Sequence, residues 1–119
     1  MPHILVVDDD DSVRILISRM LQMSGFTVTA TGSATEAQQI WASNTDFDLL
    51  VADMNLKETD GKQLADQMRQ TKADLKVLMI SGYQADDAGM GLNQPGVGFI
   101  AKPFTREALV TEAQRLIDS

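Results

Sequence analysis

The stretch ILVVDDDDSVRILISRMLQMSG, residues 4–25, contains the pattern on which the fold depends. Its first four residues form a continuous apolar run, which is typical of a strand buried on both faces of a sheet. A polar cluster follows at residues 8–12, where Asp11 or Ser12 is expected to cap a helix. Apolar residues then recur at helical spacing until Gly25 provides a stop signal. The stretch therefore predicts one βα unit.

The same alternation continues to the end of the 119-residue chain, which has the length of one domain, residues 1–119. It predicts an α/β fold in which five parallel strands are covered by helices on both faces. Ser33 and Thr105 are expected to cap the second and the last helix. A fourth helix is expected to begin near Gln84 and to be short, because the segment is rich in glycine. The predicted strands are 4–7, 26–30, 49–52, 77–80 and 99–101.

Composition excludes several classes of protein. The chain has no cysteine, so it contains neither a disulfide framework nor a thiolate metal site. His3 is the only histidine, which argues against histidine-based catalysis. The net charge of −7 disfavours nucleic-acid binding by this chain alone. Because no signal peptide and no apolar run near the roughly 20 residues of a membrane span is visible, we expect a cytoplasmic location without membrane contact.

Polar residues follow the predicted strands at the carboxyl end of each. Asp8 and Asp9 follow the first strand, Asp53 the third, Ser81 the fourth and Lys102 the fifth. In an open parallel sheet these ends lie along one edge, where ligands bind at the point of reversal of strand order. Three carboxylates, one hydroxyl and one ammonium are therefore expected to converge there.

Crowded carboxylates repel one another unless a proton or a cation relieves the repulsion. Only hard oxygen ligands are present, so Mg²⁺ is the cofactor that fits best. A divalent ion, the Lys102 ammonium and a hydroxyl donor around one carboxylate suit the transfer of a phosphoryl group. The Asp53 carboxylate would then be the nucleophile and would form an acyl phosphate.

These residues resemble response regulator receiver domains of two-component signalling. The motifs occur in the order and spacing of that family, and the likeness extends from His3 to Ile117. It implies the flavodoxin-like, three-layer sandwich with strand order 2-1-3-4-5. It also implies a phospho-acceptor whose partner is a histidine kinase or a histidine phosphotransfer domain. The five motifs are Asp8-Asp9, Asp53, Asp60-Gly61, Ser81-Gly82 and Lys102-Pro103-Phe104.

The resemblance also implies a role for each site residue. Asp53 would be the phosphorylation site and, with Asp8, Asp9 and the backbone carbonyl of Asn55, would bind Mg²⁺. Lys102 would pair with the phosphoryl oxygens, and the Lys102-Pro103 peptide is expected to be cis.

Two further roles concern signalling after phosphorylation. Ser81 would reach the phosphoryl group, and Phe99 would be the aromatic switch residue, although an aromatic at this position is also an ordinary core residue. The sequence departs from the family at Lys57, where proline is frequent. The run Ser81-Gly82-Tyr83 and the glycine-rich segment are similar to receivers joined to hybrid histidine kinases.

Two other functions stay open at this point. The chain could be a phosphorylation-independent interaction module with the same fold, although its full set of acidic residues argues against this. It could be a phosphatase that turns over through an aspartyl phosphate, but Asn55 occupies the position where such enzymes place a second aspartate. We therefore expect a switch that catalyses only its own phosphorylation and dephosphorylation, and not a turnover enzyme.

Overall fold

The computed structural model describes residues 2–54, 56, 61–81 and 96–118, with Ser81 described by its backbone alone. Five strands and four helices lie in these ranges. Their bounds in chain order are β1 (His3–Val7), α1 (Asp11–Met23), β2 (Thr27–Thr31), α2 (Ala34–Ser43), β3 (Leu49–Asp53), α3 (Gly61–Thr71), β4 (Lys76–Ser81), β5 (Val97–Ala101) and α4 (Arg106–Asp118). The helix predicted near Gln84 falls outside the described residues, so α4 corresponds to the fifth predicted helix.

The five strands form one parallel sheet in the order β2-β1-β3-β4-β5. This is the flavodoxin-like order that the resemblance implies, and the predicted fold class is confirmed. The order reverses between β1 and β3, because the chain first adds β2 on one side of β1 and then adds β3, β4 and β5 on the other. The gap above β1 and β3 is therefore the topological switch point at which such sheets bind ligands.

Both faces of the sheet are apolar, which explains the continuous apolar runs. Along β1, Leu5 and Val7 belong to a core beneath α2 and α3, whereas Ile4 and Val6 belong to a second core beneath α1 and α4. All four side chains are at most 1% exposed. Because side chains alternate across a strand, a run without polar residues supplies both cores at once.

The ends of α1 are set by local hydrogen bonds. Asp10 is the N-cap, and its carboxylate accepts from the backbone N–H groups of Ser12 and Val13 at 2.9 and 3.2 Å. The expectation that Asp11 or Ser12 caps the helix is therefore wrong by one or two residues. At the other end Gly25 has a φ of 98°, a left-handed conformation that glycine adopts without steric cost.

The other two predicted caps are present. Ser33 accepts from the backbone of Glu36 at 3.2 Å, and Thr105 accepts from the backbone of Ala108 at 3.0 Å. Trp41 is buried and packs against Phe47, with ring centroids 6.2 Å apart. None of the helices in the described ranges has the length and apolar character needed to cross a membrane.

Candidate functional site

The carboxyl edge of the sheet holds three acidic side chains in close proximity. β1 and β3 are neighbours with Val7 paired to Ala52, so the residues that follow them lie side by side. One carboxylate oxygen from each of Asp8, Asp9 and Asp53 lies within 4.8 Å of the other two. Asp8 and Asp53 are buried, at 1% and 7% exposure, and Asp9 is half-buried. The expected convergence of these carboxylates is found in the structure.

Asp8 is the most constrained member of this acidic cluster. Its Oδ1 accepts a hydrogen bond from the backbone N–H of Asp10 at 2.9 Å. Its Oδ2 is buried and has no hydrogen-bond partner among the described residues. Burial raises the pKa of Asp8, the Asp10 hydrogen bond partly opposes this, and the charge of Asp53 raises it further. The environment therefore favours a proton or a cation beside Asp8.

Lys102 supplies a positive charge to the acidic cluster. It follows β5 directly, and its Nζ lies 3.1 Å from Oδ2 of Asp53. The Lys102-Pro103 peptide is cis, as predicted. The ammonium contacts Asp53, the residue expected to be the nucleophile, so that carboxylate has a cation at one oxygen. Among the described residues, three carboxylates and one ammonium meet at this edge, so negative charge is in excess there.

The first residue of α3 brings the helix against the backbone of Asp53. The N–H of Gly61 donates to the carbonyl of Met54 at 2.9 Å. A Cβ added at Gly61 would lie 2.3 Å from the carbonyl oxygen of Asp53 and 2.8 Å from Cε of Met79. Only glycine allows this approach, so Gly61 determines how closely α3 packs against the end of β3.

The donors at this edge fit a hard divalent cation. They are carboxylate oxygens, which Mg²⁺ prefers, and nitrogen or sulfur ligands are not part of the cluster. The buried Oδ2 of Asp8, which lacks a hydrogen-bond partner in the described part of the chain, is an acceptor that a cation would satisfy. Residues Asp8, Asp9 and Asp53 could therefore hold Mg²⁺ with their carboxylates.

The remaining predicted residues are described only in part. Ser81 is the last residue of β4, and its backbone therefore ends at the same edge, but its side chain lies outside the described part of the chain, as do Asn55 and Lys57. Phe99 is half-buried on β5 and packs against the core beneath α2 and α3. Its position agrees with an ordinary core aromatic, and its switch role stays a prediction.

Two supporting residues were not assigned a structural role from the sequence. Arg14 donates to the backbone carbonyl of Asp8 at 3.0 Å, but an arginine at an i, i+6 distance from a carbonyl carries no sequence signal. In the sequence Gly61 stands out only as part of the Asp60-Gly61 motif, but a glycine in a helical pattern costs stability relative to alanine and often has a packing reason. That signal could have identified its contact with Asp53.

Comparisons with known proteins agree with this geometry. The sequence profile of the response regulator receiver domain matches residues 4–114. The sensor kinase CckA of Brucella abortus (strain 2308) is 33% identical over 97% of this chain, and the regulatory protein VirG of Agrobacterium fabrum (strain C58 / ATCC 33970) is 37% identical over 92% of it. The chain spans 12% of the length of the first and 44% of the second.

A solved structure extends the likeness to three dimensions. The response regulator protein TrrA from Thermotoga maritima, in complex with Mg²⁺ and BeF, has a TM-score of 0.85 to this chain at 25% identity. The match covers 98% of this chain and 99% of that one. The profile match, the sheet order and the acidic strand ends point the same way, and the chain belongs to the family of response regulator receiver domains of two-component signalling.

Proposed function

We propose that this chain is a phospho-acceptor switch in which Asp53 receives a phosphoryl group from a phosphohistidine of a histidine kinase or a histidine phosphotransfer domain. The observation that carries the proposal is the surroundings of Asp53. Its carboxylate lies within 4.8 Å of those of Asp8 and Asp9 and 3.1 Å from the ammonium of Lys102. A nucleophile in this position has neighbours that can neutralise the charge of an incoming phosphoryl group.

The proposed step is a nucleophilic displacement at phosphorus. A carboxylate oxygen of Asp53 attacks phosphorus, the bond from phosphorus to the imidazole nitrogen breaks, and the imidazole leaves with the electron pair. The product on this chain is an acyl phosphate. Lys102, already paired with Oδ2 of Asp53, would remain beside the phosphoryl oxygens and offset their charge.

The cofactor of this step is proposed to be Mg²⁺, which the carboxylates of Asp8, Asp9 and Asp53 and the backbone carbonyl of Asn55 would hold. When bound it supplies positive charge to the phosphoryl oxygens. The complex of TrrA with Mg²⁺ and BeF supports this assignment by analogy. After transfer, Ser81 and Phe99 are proposed to respond to the new charge, which would alter the surface near β5.

The partners and the location of the switch are also part of what we propose. Its partners would be proteins, because the net charge of −7 repels nucleic acid, and its location would be the cytoplasm. CckA is a sensor kinase and VirG a regulatory protein, so the parent of a receiver of this kind can be either. The chain would not turn over a separate substrate.

Intact mass measured after incubation with acetyl phosphate tests the assignment. We expect one phosphoryl adduct on the wild type in the presence of Mg²⁺ and none on Asp53→Asn. Asp46→Asn is the matched control, because Asp46 is an exposed carboxylate before β3 and should take the adduct at the wild-type rate. An adduct on Asp53→Asn at the wild-type rate would contradict the assignment. A wild type that takes no adduct and binds no beryllofluoride would favour the phosphorylation-independent module.

A further inference from the structure

Arg14 lies in the first turns of α1, and its guanidinium reaches back to the end of β1. Its Nη1 donates to the carbonyl oxygen of Asp8 at 3.0 Å, and its Nη2 lies 2.6 Å from Oδ1 of Asp11. The Arg14 side chain is 22% exposed, whereas that of Asp11 is 80% exposed. The contact with Asp8 is therefore the less solvent-exposed of the two. An exposed ion pair such as that with Asp11 contributes little to stability.

The Asp8 backbone is held from both sides. Its N–H donates to the carbonyl of Thr31 at 3.2 Å, and its carbonyl accepts from Arg14. That carbonyl belongs to the peptide that joins Asp8 to Asp9. The two hydrogen bonds therefore restrain the backbone from which both carboxylates of the acidic cluster project.

Gly32 leaves the space that the guanidinium occupies. A Cβ added at Gly32 would lie 2.6 Å from Nη1 of Arg14, and its next contact outside that side chain is an ordinary 3.6 Å to the carbonyl oxygen of Asp8. A methyl group there would displace the guanidinium and little else. Gly32, in the turn after β2, therefore leaves room for the guanidinium of Arg14 on α1.

We propose that Arg14 is a positioning residue for the acidic cluster, acting through the Asp8-Asp9 peptide. The inference rests on the proposed function, because it concerns the same metal site. Repulsion among three carboxylates would drive the half-buried Asp9 outward. The Arg14 contact opposes this movement and keeps Asp8 and Asp9 in the arrangement that a divalent cation can bind.

The sign of the effect separates positioning from simple electrostatics. A guanidinium near a cation site repels the cation, so loss of its charge alone would tighten metal binding. Loss of a contact that orients the ligands would weaken it. Binding that weakens when a positive charge is removed therefore requires the positioning role.

Titration with Mn²⁺, followed by the electron paramagnetic resonance signal of the free ion, measures this directly. We expect Arg14→Met to weaken Mn²⁺ binding by about 10-fold, the lower end of the usual loss when an outer contact of a metal ligand is removed. Arg14→Lys should also weaken it, because one ammonium does not reproduce the guanidinium fork. Arg19→Met is the matched control: Arg19 is exposed on the same helix, and its loss should leave binding unchanged or slightly tighter.

A double-mutant cycle with Gly32 tests the contact itself. Gly32→Ala should weaken Mn²⁺ binding by displacing the guanidinium, and it should add little in an Arg14→Met background. The Mg²⁺ concentration that gives half the maximal rate of acetyl phosphate labelling should rise in Arg14→Met, while the rate at saturating Mg²⁺ stays near that of the wild type. A purely structural defect would not produce this split.

The outcomes separate this inference from the proposed function. A wild type that binds no Mn²⁺ would overturn the metal site, and with it the proposed chemistry. A wild type that binds Mn²⁺, together with an Arg14→Met variant that binds it equally or more tightly, would overturn only the positioning role. Wild-type binding by Arg14→Lys, or full additivity with Gly32→Ala, would do the same. If Arg14→Met fails to fold, Arg14→Lys and Gly32→Ala still decide the question.

Discussion

At the scale of single residues, Asp8 is a buried carboxylate that we expect to lower the stability of the free protein and that we propose as a ligand of Mg²⁺. A carboxylate that is 1% exposed, with one oxygen lacking a partner among the described residues, is an unfavourable core residue. Burial raises its pKa. Groups with such environments concentrate at functional sites, where the unfavourable charge is relieved by a ligand. We therefore expect the charged Asp8 carboxylate to lower the free energy of unfolding when no cation is bound.

This expectation has a defined pH dependence. Below the ordinary carboxyl pKa of 3.8, Asp8 is protonated in the folded and unfolded states alike and has no effect on stability. As the pH rises from there through the raised folded pKa, the unfolded state releases its proton first, so the folded state loses stability. Without Mg²⁺, Asp8→Asn should therefore unfold at higher urea concentration than the wild type at neutral pH, and the difference should vanish in acid.

At neutral pH the free energy of unfolding of Asp8→Asn should exceed that of the wild type by about 1 kcal/mol or more. Leaving a polar group buried without a partner costs about 1–3 kcal/mol, and a charge costs more. Urea denaturation near pH 7 and near pH 3, below the ordinary carboxyl pKa, measures the difference. Asp46→Asn is the control at both values, because Asp46 is exposed. Equal stability of Asp8→Asn and the wild type at neutral pH would mean that folding does not raise the pKa of Asp8, so that its carboxylate is solvated or paired in the folded state.

The sequence alone predicted the acidic cluster, but it did not predict the contact of Arg14 with the backbone of Asp8. Asp8, Asp9, Asp53 and Lys102 follow strand ends, and the geometry of a parallel sheet brings such positions together. The direction of the Arg14 side chain depends on space left by a turn that is distant in sequence, so no local pattern reveals it. The cap of α1 was misplaced because a run of four aspartates followed by serine offers several good N-caps.

At the scale of elements, the apolar patterns identified all five strands of the sheet, but they placed the strand ends less accurately. The second strand was predicted at 26–30 but spans Thr27–Thr31. Phe26 is buried, yet its N–H donates to the carbonyl of Leu21 at 3.1 Å and closes the end of α1. An apolar residue can be buried without pairing in the sheet. Phe26 is such a residue, because its backbone closes the end of α1.

The packing of α3 against β3 gives a prediction at this scale. Gly61→Ala should lower the free energy of unfolding by about 1–3 kcal/mol, the usual cost of overpacking, because its Cβ would meet the Asp53 carbonyl at 2.3 Å. Gln70→Ala, an exposed change in the same helix, should alter stability by no more than about 0.5 kcal/mol. Urea denaturation measures both, and a neutral Gly61→Ala would show that α3 can move away from the strand without loss.

At the scale of the whole molecule, two apolar cores cover the two faces of one sheet, and the acidic cluster lies at the carboxyl edge of that sheet. The same molecule carries a net charge of −7, part of which is the acidic cluster. Any added salt should stabilise it slightly by screening repulsion. Ions that bind the cluster should stabilise it far more, because binding to the folded state alone shifts the unfolding equilibrium.

Mg²⁺ should therefore stabilise the wild type well beyond NaCl at matched ionic strength. At 100 times its dissociation constant, a ligand specific for the folded state adds about 2.7 kcal/mol. Thermal or urea unfolding in the two salts measures the difference, which should disappear in Asp9→Asn, where the cluster has lost one ligand, and persist in Asp46→Asn. Equal stabilisation by both salts would mean that Mg²⁺ acts only by screening. The acidic edge would then be a source of repulsion without a bound ion, and phosphoryl transfer to Asp53 would need another source of positive charge besides Lys102.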